Sequence, residues 1–329
     1  MQQPPPSEQT YKDEYKMMMK RFIYVIVALA LSVSVSAQTS DYLRRYNLLL
    51  SRVGPSGVGM ETLIDNWAKA EPENADMLQA RFYFYVSKAQ GTEVVTRGQD
   101  RYLGQSPILA LKDSTGADVY YYELVKYDDE IFFKALSAMD SAISLHPERL
   151  DYRFLKANAY MSYERESPDM ALSNILGLVH DYMSSGKEWT YQDAVGQEPY
   201  AVDKEMFADL MQEYCFAFYS LGTPSAYAAF LKLSQRLNEY FPKNPDFLGN
   251  IGSYHMVAAK DFKTALKFYD KALKLEPDNV STINNALLAA RRMNNIKLEK
   301  KYLKMLLQHA DSEQTRLQAQ GRLDALNAR

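Results

Sequence analysis

The side chains able to perform acid–base, nucleophilic or metal chemistry are few, and their spacing suits none of these. Four histidines occur, His146, His180, His255 and His309. None has a second histidine within five residues, and no His-Glu-x-x-His frame exists, so zinc-ligand spacing is lacking. His146 stands before Pro147 at a helix end, where an imidazole favours the dipole without further duty. The single Gly-rich loop, Gly54-Pro55-Ser56-Gly57-Val58-Gly59, runs into Met60 and lacks the Gly-Lys-Ser/Thr ending that cradles phosphate. Ser56 has no Gly-x-Ser-x-Gly frame around it. The carboxylates Asp128-Asp129-Glu130 open a helix, where acids complement the macrodipole. Cys215 is alone and makes no internal disulfide; its apolar neighbours Tyr214, Phe216 and Phe218 predict a buried small hydrophobe, with a reactive thiol as the alternative. The sequence therefore predicts no catalytic residue, no metal and no cofactor: a protein that is not an enzyme. A formal charge of −3 gives no reason to expect nucleic acid.

What the chain has in abundance is tyrosine: 25 Tyr, beside 14 Phe and 2 Trp. Clusters stand at Phe82-Tyr83-Phe84-Tyr85, Tyr120-Tyr121-Tyr122 and Trp189-Thr190-Tyr191. Stacked helices consume aromatics in their cores, while exposed Tyr and Trp supply rigid contact area to a partner.

The elements that must position these residues are helical. From Asp41 onward apolar residues recur at three- and four-residue intervals. Gly, Pro and Asn punctuate the pattern at 54–55, 72–74, 147–148, 222–224, 242–245 and 277–279, giving successive helix pairs. One stretch departs from it. Ile108–Leu111 and Val119–Val125 flank the turn Asp113-Ser114-Thr115-Gly116, which predicts a β-hairpin at 108–125, inserted between repeat units; the alternative makes Val119 onward part of the next helix. Ahead of all this, Lys20-Arg21 and the apolar run Phe22–Val35 lead into Val35-Ser36-Ala37, the pattern of a signal peptide cut between Ala37 and Gln38. The run is 14 residues, short of the roughly 20 that span a bilayer. The expected organisation is a leader over 1–37, with translation starting at Met19, and an exported helical domain over 38–329, periplasmic or secreted and of Gram-negative type.

Two segments repeat one four-point spacing: Ala265, Tyr269, Ala272, Pro277 and Ala135, Met139, Ala142, Pro147. Small residues admit a neighbouring helix, the bulky one fills the gap, and proline stops the helix. Upstream of the first stand Leu248, Ile251 and Gly252; downstream of the second, Ala157 and Tyr160. This pattern resembles the tetratricopeptide repeat (TPR), a helix–turn–helix unit of about 34 residues. The match is clearest over 135–161 and 245–279, where Pro242 to Pro277 spans 35 residues and implies one inserted residue near Ala258-Ala259.

The resemblance implies an all-α, right-handed TPR-like solenoid of helical hairpins with a small β-hairpin insertion and a polar capping helix over 311–329. It also implies a concave groove lined by Tyr83, Phe154, Asn158, Ser253, Asn284 and Arg291. Members that grip acidic C-terminal peptides use Lys, Arg and Asn on this face. Tyr83 and Ser253 depart from that set, so the groove implied here is apolar or mixed and suits an extended peptide or a helix. The expected function is a non-catalytic scaffold or assembly factor of the cell envelope with a protein or peptide partner. Membrane contact is expected only through the transient signal peptide. The alternative is glycan binding by exposed aromatics.

Overall fold

The computed structural model describes residues 41–310 and 312–328; the leader and its cleavage point lie outside them. Thirteen α-helices and five strands form among these residues. The helices are α1 (Asp41–Val53), α2 (Met60–Ala70), α3 (Ala75–Ala89), α4 (Asp129–Leu145), α5 (Leu150–Tyr163), α6 (Asp169–Ser185), α7 (Lys204–Leu221), α8 (Pro224–Tyr240), α9 (Pro245–Val257), α10 (Phe262–Leu275), α11 (Val280–Arg292), α12 (Ile296–His309) and α13 (Glu313–Asn327). The strands are β1 (Gln90–Arg97), β2 (Leu109–Lys112), β3 (Asp118–Tyr127), β4 (Trp189–Tyr191) and β5 (Tyr200–Val202). No described helix is long and apolar enough to cross a membrane. The described residues divide into two compact units: 41–90 with 127–152 and 190–201, and 91–126, 153–189, 202–310 and 312–328.

Polar side chains start the helices where the sequence places them. Asn74, Asp128, Asp203, Thr223, Asn279 and Ser312 each accept a backbone N–H of the first turn. Each such cap contributes about 1 kcal/mol. Thr223 is followed by Pro224 at the first helical position, where the missing N–H costs nothing.

The helix ends reveal a repeat more regular than the sequence pattern. At Glu71, His146, Phe241 and Glu276 the N–H bonds back to the carbonyl four residues earlier, at 2.7, 2.9, 2.8 and 3.0 Å. Three residues on, Asn74, Arg149, Asn244 and Asn279 donate their N–H to those same four residues. A proline follows each of the four, so every turn is pre-set by its fixed φ. In two of them, Glu71–Asn74 and Glu276–Asn279, the asparagine amide also donates to the glutamate carboxylate at 2.7 Å. One turn is thus used four times, twice in each unit, to join the second helix of one hairpin to the first of the next.

In the first unit α3 packs against α4 as a hairpin. Ala135, Met139 and Ala142 are fully buried. At the corresponding position of α2 stands Trp67, also fully buried and stacked on Tyr42 at 6.2 Å. In the second unit α7 pairs with α8, α9 with α10, α11 with α12, and α13 covers α12. Ala265, Tyr269 and Ala272 are buried to 1% exposure or less, as are Ala286, Ala289, Ala290 and Tyr302. Gly252 fits here because a Cβ would stand 2.7 Å from the Tyr269 ring. The implied extra residue lies in the α9–α10 turn, where Lys260 takes a left-handed φ of 53°. Asn294 adopts φ 52° in the α11–α12 turn, one residue shorter between its caps.

The expected β-hairpin is present, and the insertion is larger than it and sits differently in the repeat frame. β2 and β3 pair antiparallel, Leu109 opposite Tyr121 and Lys112 opposite Asp118. β1 joins on the other side of β3, making three strands in the order β1-β3-β2. Asp113 shapes the β2–β3 turn by accepting from the Thr115 N–H and hydroxyl and from the Ala117 N–H, and these bonds hold its carboxyl below the ordinary range. The insertion does not separate two repeat units. It leaves the chain between α3 and α4, inside one hairpin, and its two ends meet where the Asp128 N–H bonds the Ala89 carbonyl at 2.9 Å.

Candidate partner groove

Five of the six sequence-predicted groove residues fall in the second unit: Phe154 and Asn158 on α5, and Ser253 on α9 and Asn284 and Arg291 on α11, the first helices of two successive hairpins. Helices α7, α9 and α11 stand side by side, each touching the next. Polar side chains bridge them. The Tyr214 hydroxyl of α7 donates to Asn158 at 2.8 Å. Gln212 of α7 and Asn250 of α9 exchange amide bonds at 3.2 and 2.7 Å. Ser253 bonds the Gly249 carbonyl of its own helix and the Tyr269 hydroxyl of α10. Phe154 is buried against the Tyr214 ring at 5.4 Å and serves packing.

Half-buried Asn284 carries no hydrogen bond that engages its amide elsewhere, whereas Arg291 is engaged. Its Nε bonds Glu299 at 2.9 Å, and Arg322 of α13 bonds the same carboxylate at 2.8 Å. Glu299 is 4% exposed. Burial alone would raise its pKa, and the two guanidiniums outweigh that and hold it below the ordinary range. Arg291 therefore fastens the C-terminal helix, a duty its position on α11 does not announce.

The sequence reading missed an acidic note on this face. Partial burial, then Glu276, then Asp209 raise the Asp246 carboxyl above its usual value, so Asp209 of α7 and Asp246 of α9 share one field. The nearby Glu205, Asp209, Lys204, Lys243 and Asn244 line an open cleft of about 480 Å³. Its residues alternate in sign, and only the three-dimensional pairing of α7 with the α8–α9 turn brings them together.

Tyr83 belongs to the first unit, on α3, and is half-buried. Burial pushes its hydroxyl up to about 12, against a lowering bond from Gln79. No described group of three His, Cys, Asp or Glu is placed to hold a metal ion. Cys215 is fully buried on α7; burial pushes its thiol up to about 12, and Ser234 lies 3.6 Å away.

No protein-family model matches the sequence, and no curated protein matches it. Solved structures do, among them three at 12 to 17% identity. The crystal structure of YrrB, described as a TPR protein with an unusual peptide-binding site, aligns over 78% of this chain and 97% of its own at 12% identity, with a TM-score of 0.36. The MamA crystal structure aligns over 56% of this chain and 88% of its own at 17% identity and a TM-score of 0.31. The APC/C hetero-tetramer Cut9–Hcn1 aligns over 96% of this chain at 13% identity and a TM-score of 0.28. This chain spans about half of that last one, 54%. These are the proteins to which the chain, with its four equivalent turns and stacked hairpins, is similar.

Proposed function

We propose that the protein is a non-catalytic scaffold or assembly factor of the bacterial cell envelope that holds an extended peptide or protein segment along α7, α9 and α11. The carrying observation is the row of side-chain amides and a hydroxyl on this face, Gln212, Asn250, Ser253 and Asn284, set on side-by-side helices. Amides both donate and accept, so they read a peptide backbone without demanding a charge. Export rests on the leader motif at 20–37.

The test is a crosslinking capture from native envelope extract with residues 38–329, followed by binding of the purified captured protein to wild type and to Asn284→Ala with Asn250→Ala. A Kd weakened about tenfold supports the groove. An unchanged Kd removes it, and retention on a polysaccharide column without any protein partner replaces it with the glycan reading. Arg291→Ala is the wrong probe, because it also removes one of the two guanidiniums that hold buried Glu299.

A further inference from the structure

In the first unit the face of α3 that carries Tyr83 is partly covered by another part of the chain. On α3, Asp76, Gln79 and Tyr83 lie on one face, three and four residues apart. Counted from the cap Asn74, Asp76 takes the place in its repeat that Asp246 takes after Asn244 in the second unit. Yet Gln79 is only 2% exposed. Residues 190–201 belong to this unit, and they meet the face at Asp76. The Gly196 N–H donates to Asp76 Oδ1 at 2.9 Å, and Gly196 lies so close to Leu43 that a Cβ would stand 3.0 Å from its methyl. Gly196 also has φ 82°, which an L side chain resists. Val195 is buried beside it.

The other end is anchored on a buried ion pair. Arg149 bonds both carboxylate oxygens of Asp151, at 2.8 and 2.7 Å, and donates to the Gln192 side-chain carbonyl. Asp151 in turn accepts the Gln192 backbone N–H. Arg149, Asp151 and Gln192 are 6, 3 and 4% exposed. The Thr190 N–H bonds the Glu148 carbonyl at 3.0 Å. Beside this anchor the Tyr191 ring packs against Tyr200 at 5.9 Å, and burial, then Asp151 and Asp193, raises its hydroxyl above the ordinary value. A loop passing over a surface leaves its polar groups to water. This one spends them on Asp76, Arg149 and Asp151.

We propose that the first unit contains a second peptide-binding site, separate from the α7–α9–α11 face, whose resident ligand is the chain's own segment 191–197. The ligand class follows from the anchors: an extended segment carrying a side-chain amide, with a glycine four residues later. The amide answers the Arg149–Asp151 pair, in which Arg149 donates to its side-chain carbonyl and Asp151 accepts the backbone N–H of the same residue. The glycine alone fits between Leu43 and Asp76. An outside segment of that pattern enters only when the resident one leaves.

The probe is a fluorescein-labelled peptide of residues 190–201, titrated by anisotropy against the exported chain. Wild type is expected not to bind it, and a variant with residues 192–197 replaced by an equal length of Gly and Ser is expected to bind at least tenfold more tightly. Adding Asp76→Ala to that variant should remove the gain. A folded replacement variant that ignores the peptide, or wild type that binds equally well, overturns the proposal. Hydrogen exchange on unaltered protein gives an answer even where the replacement fails to fold. Gln192 and Gly196 amides at least a hundredfold slower than an open chain support the site, and amides at open-chain rate overturn it. Loss of partner binding at Asn284 leaves this result untouched, because it reports on the second unit.

Discussion

The close approach of Gly252 to Tyr269 makes Gly252→Ala an informative change. Ordinarily, replacing a mid-helix glycine with alanine stabilises by about 1 kcal/mol, through propensity and a less free unfolded chain. Here the new methyl would lie 2.7 and 2.8 Å from two ring carbons of Tyr269. The ring is 1% exposed, bounded by the α9–α10 contact and bonded through its hydroxyl to Ser253, so it has no room to swing. Overpacking of this kind costs about 1–3 kcal/mol. Loss of the Ser253 bond adds about 1 kcal/mol. The net expectation, after the propensity gain, is a destabilisation of about 2 kcal/mol. Gly177 of α6 supplies the control, since it is exposed and a Cβ there meets nothing within 4 Å. Gly177→Ala should stabilise by up to about 1 kcal/mol. Urea unfolding followed by circular dichroism, with both variants fitted at a common m-value, measures the two shifts. Equal shifts of the same sign would refute the packing argument and reduce Gly252 to a propensity effect.

Three further outcomes are expected. Lys260 holds φ 53°, so Lys260→Gly should raise the unfolding midpoint by the equivalent of about 1 kcal/mol, read in the same urea titration. Glu299 has its folded pKa depressed below about 4.5, so its contribution is complete above that value and is lost as pH falls through the folded value. Thermal melts from pH 6 down to pH 3 should show Glu299→Gln losing less stability over this range than wild type. Cys215, fully buried and with its thiol pushed up to about 12, should resist Ellman's reagent at pH 8 until denaturant is added.

Where the sequence was legible, a local pattern carried the physics. Ala265, Tyr269 and Ala272 repeat the spacing of Ala135, Met139 and Ala142 because two helices can approach only over small residues, and all six are buried. The prolines at 72, 147, 242 and 277 mark turns of one geometry. The rest depended on distance. α3 and α4 are one hairpin, but the sheet between them hides that from any window shorter than the insertion. Arg291 is expected at a groove position, and its tie to Glu299 needs α12 to be in place. Nothing in Gln192–Gln197 looks apolar enough to be held down. Its anchors are an ion pair forty residues earlier and an aspartate at position 76, which only the fold brings within reach.

The insertion between Ala89 and Asp128 also bears on the order in which the molecule assembles. Hairpins α9–α10 and α11–α12 close over turns of about four residues, among the fastest events open to a chain. Closing α3 on α4 means gathering in roughly 38 residues, which adds about 2 kcal/mol of chain entropy before any contact between them is made. Nucleation therefore belongs to the C-terminal hairpins, and the N-terminal pair joins late, after the sheet has shortened the tether. A chain emerging from a ribosome or crossing a membrane N-terminus first meets these steps in the reverse order, with α3 waiting unpaired until the sheet and α4 have followed it.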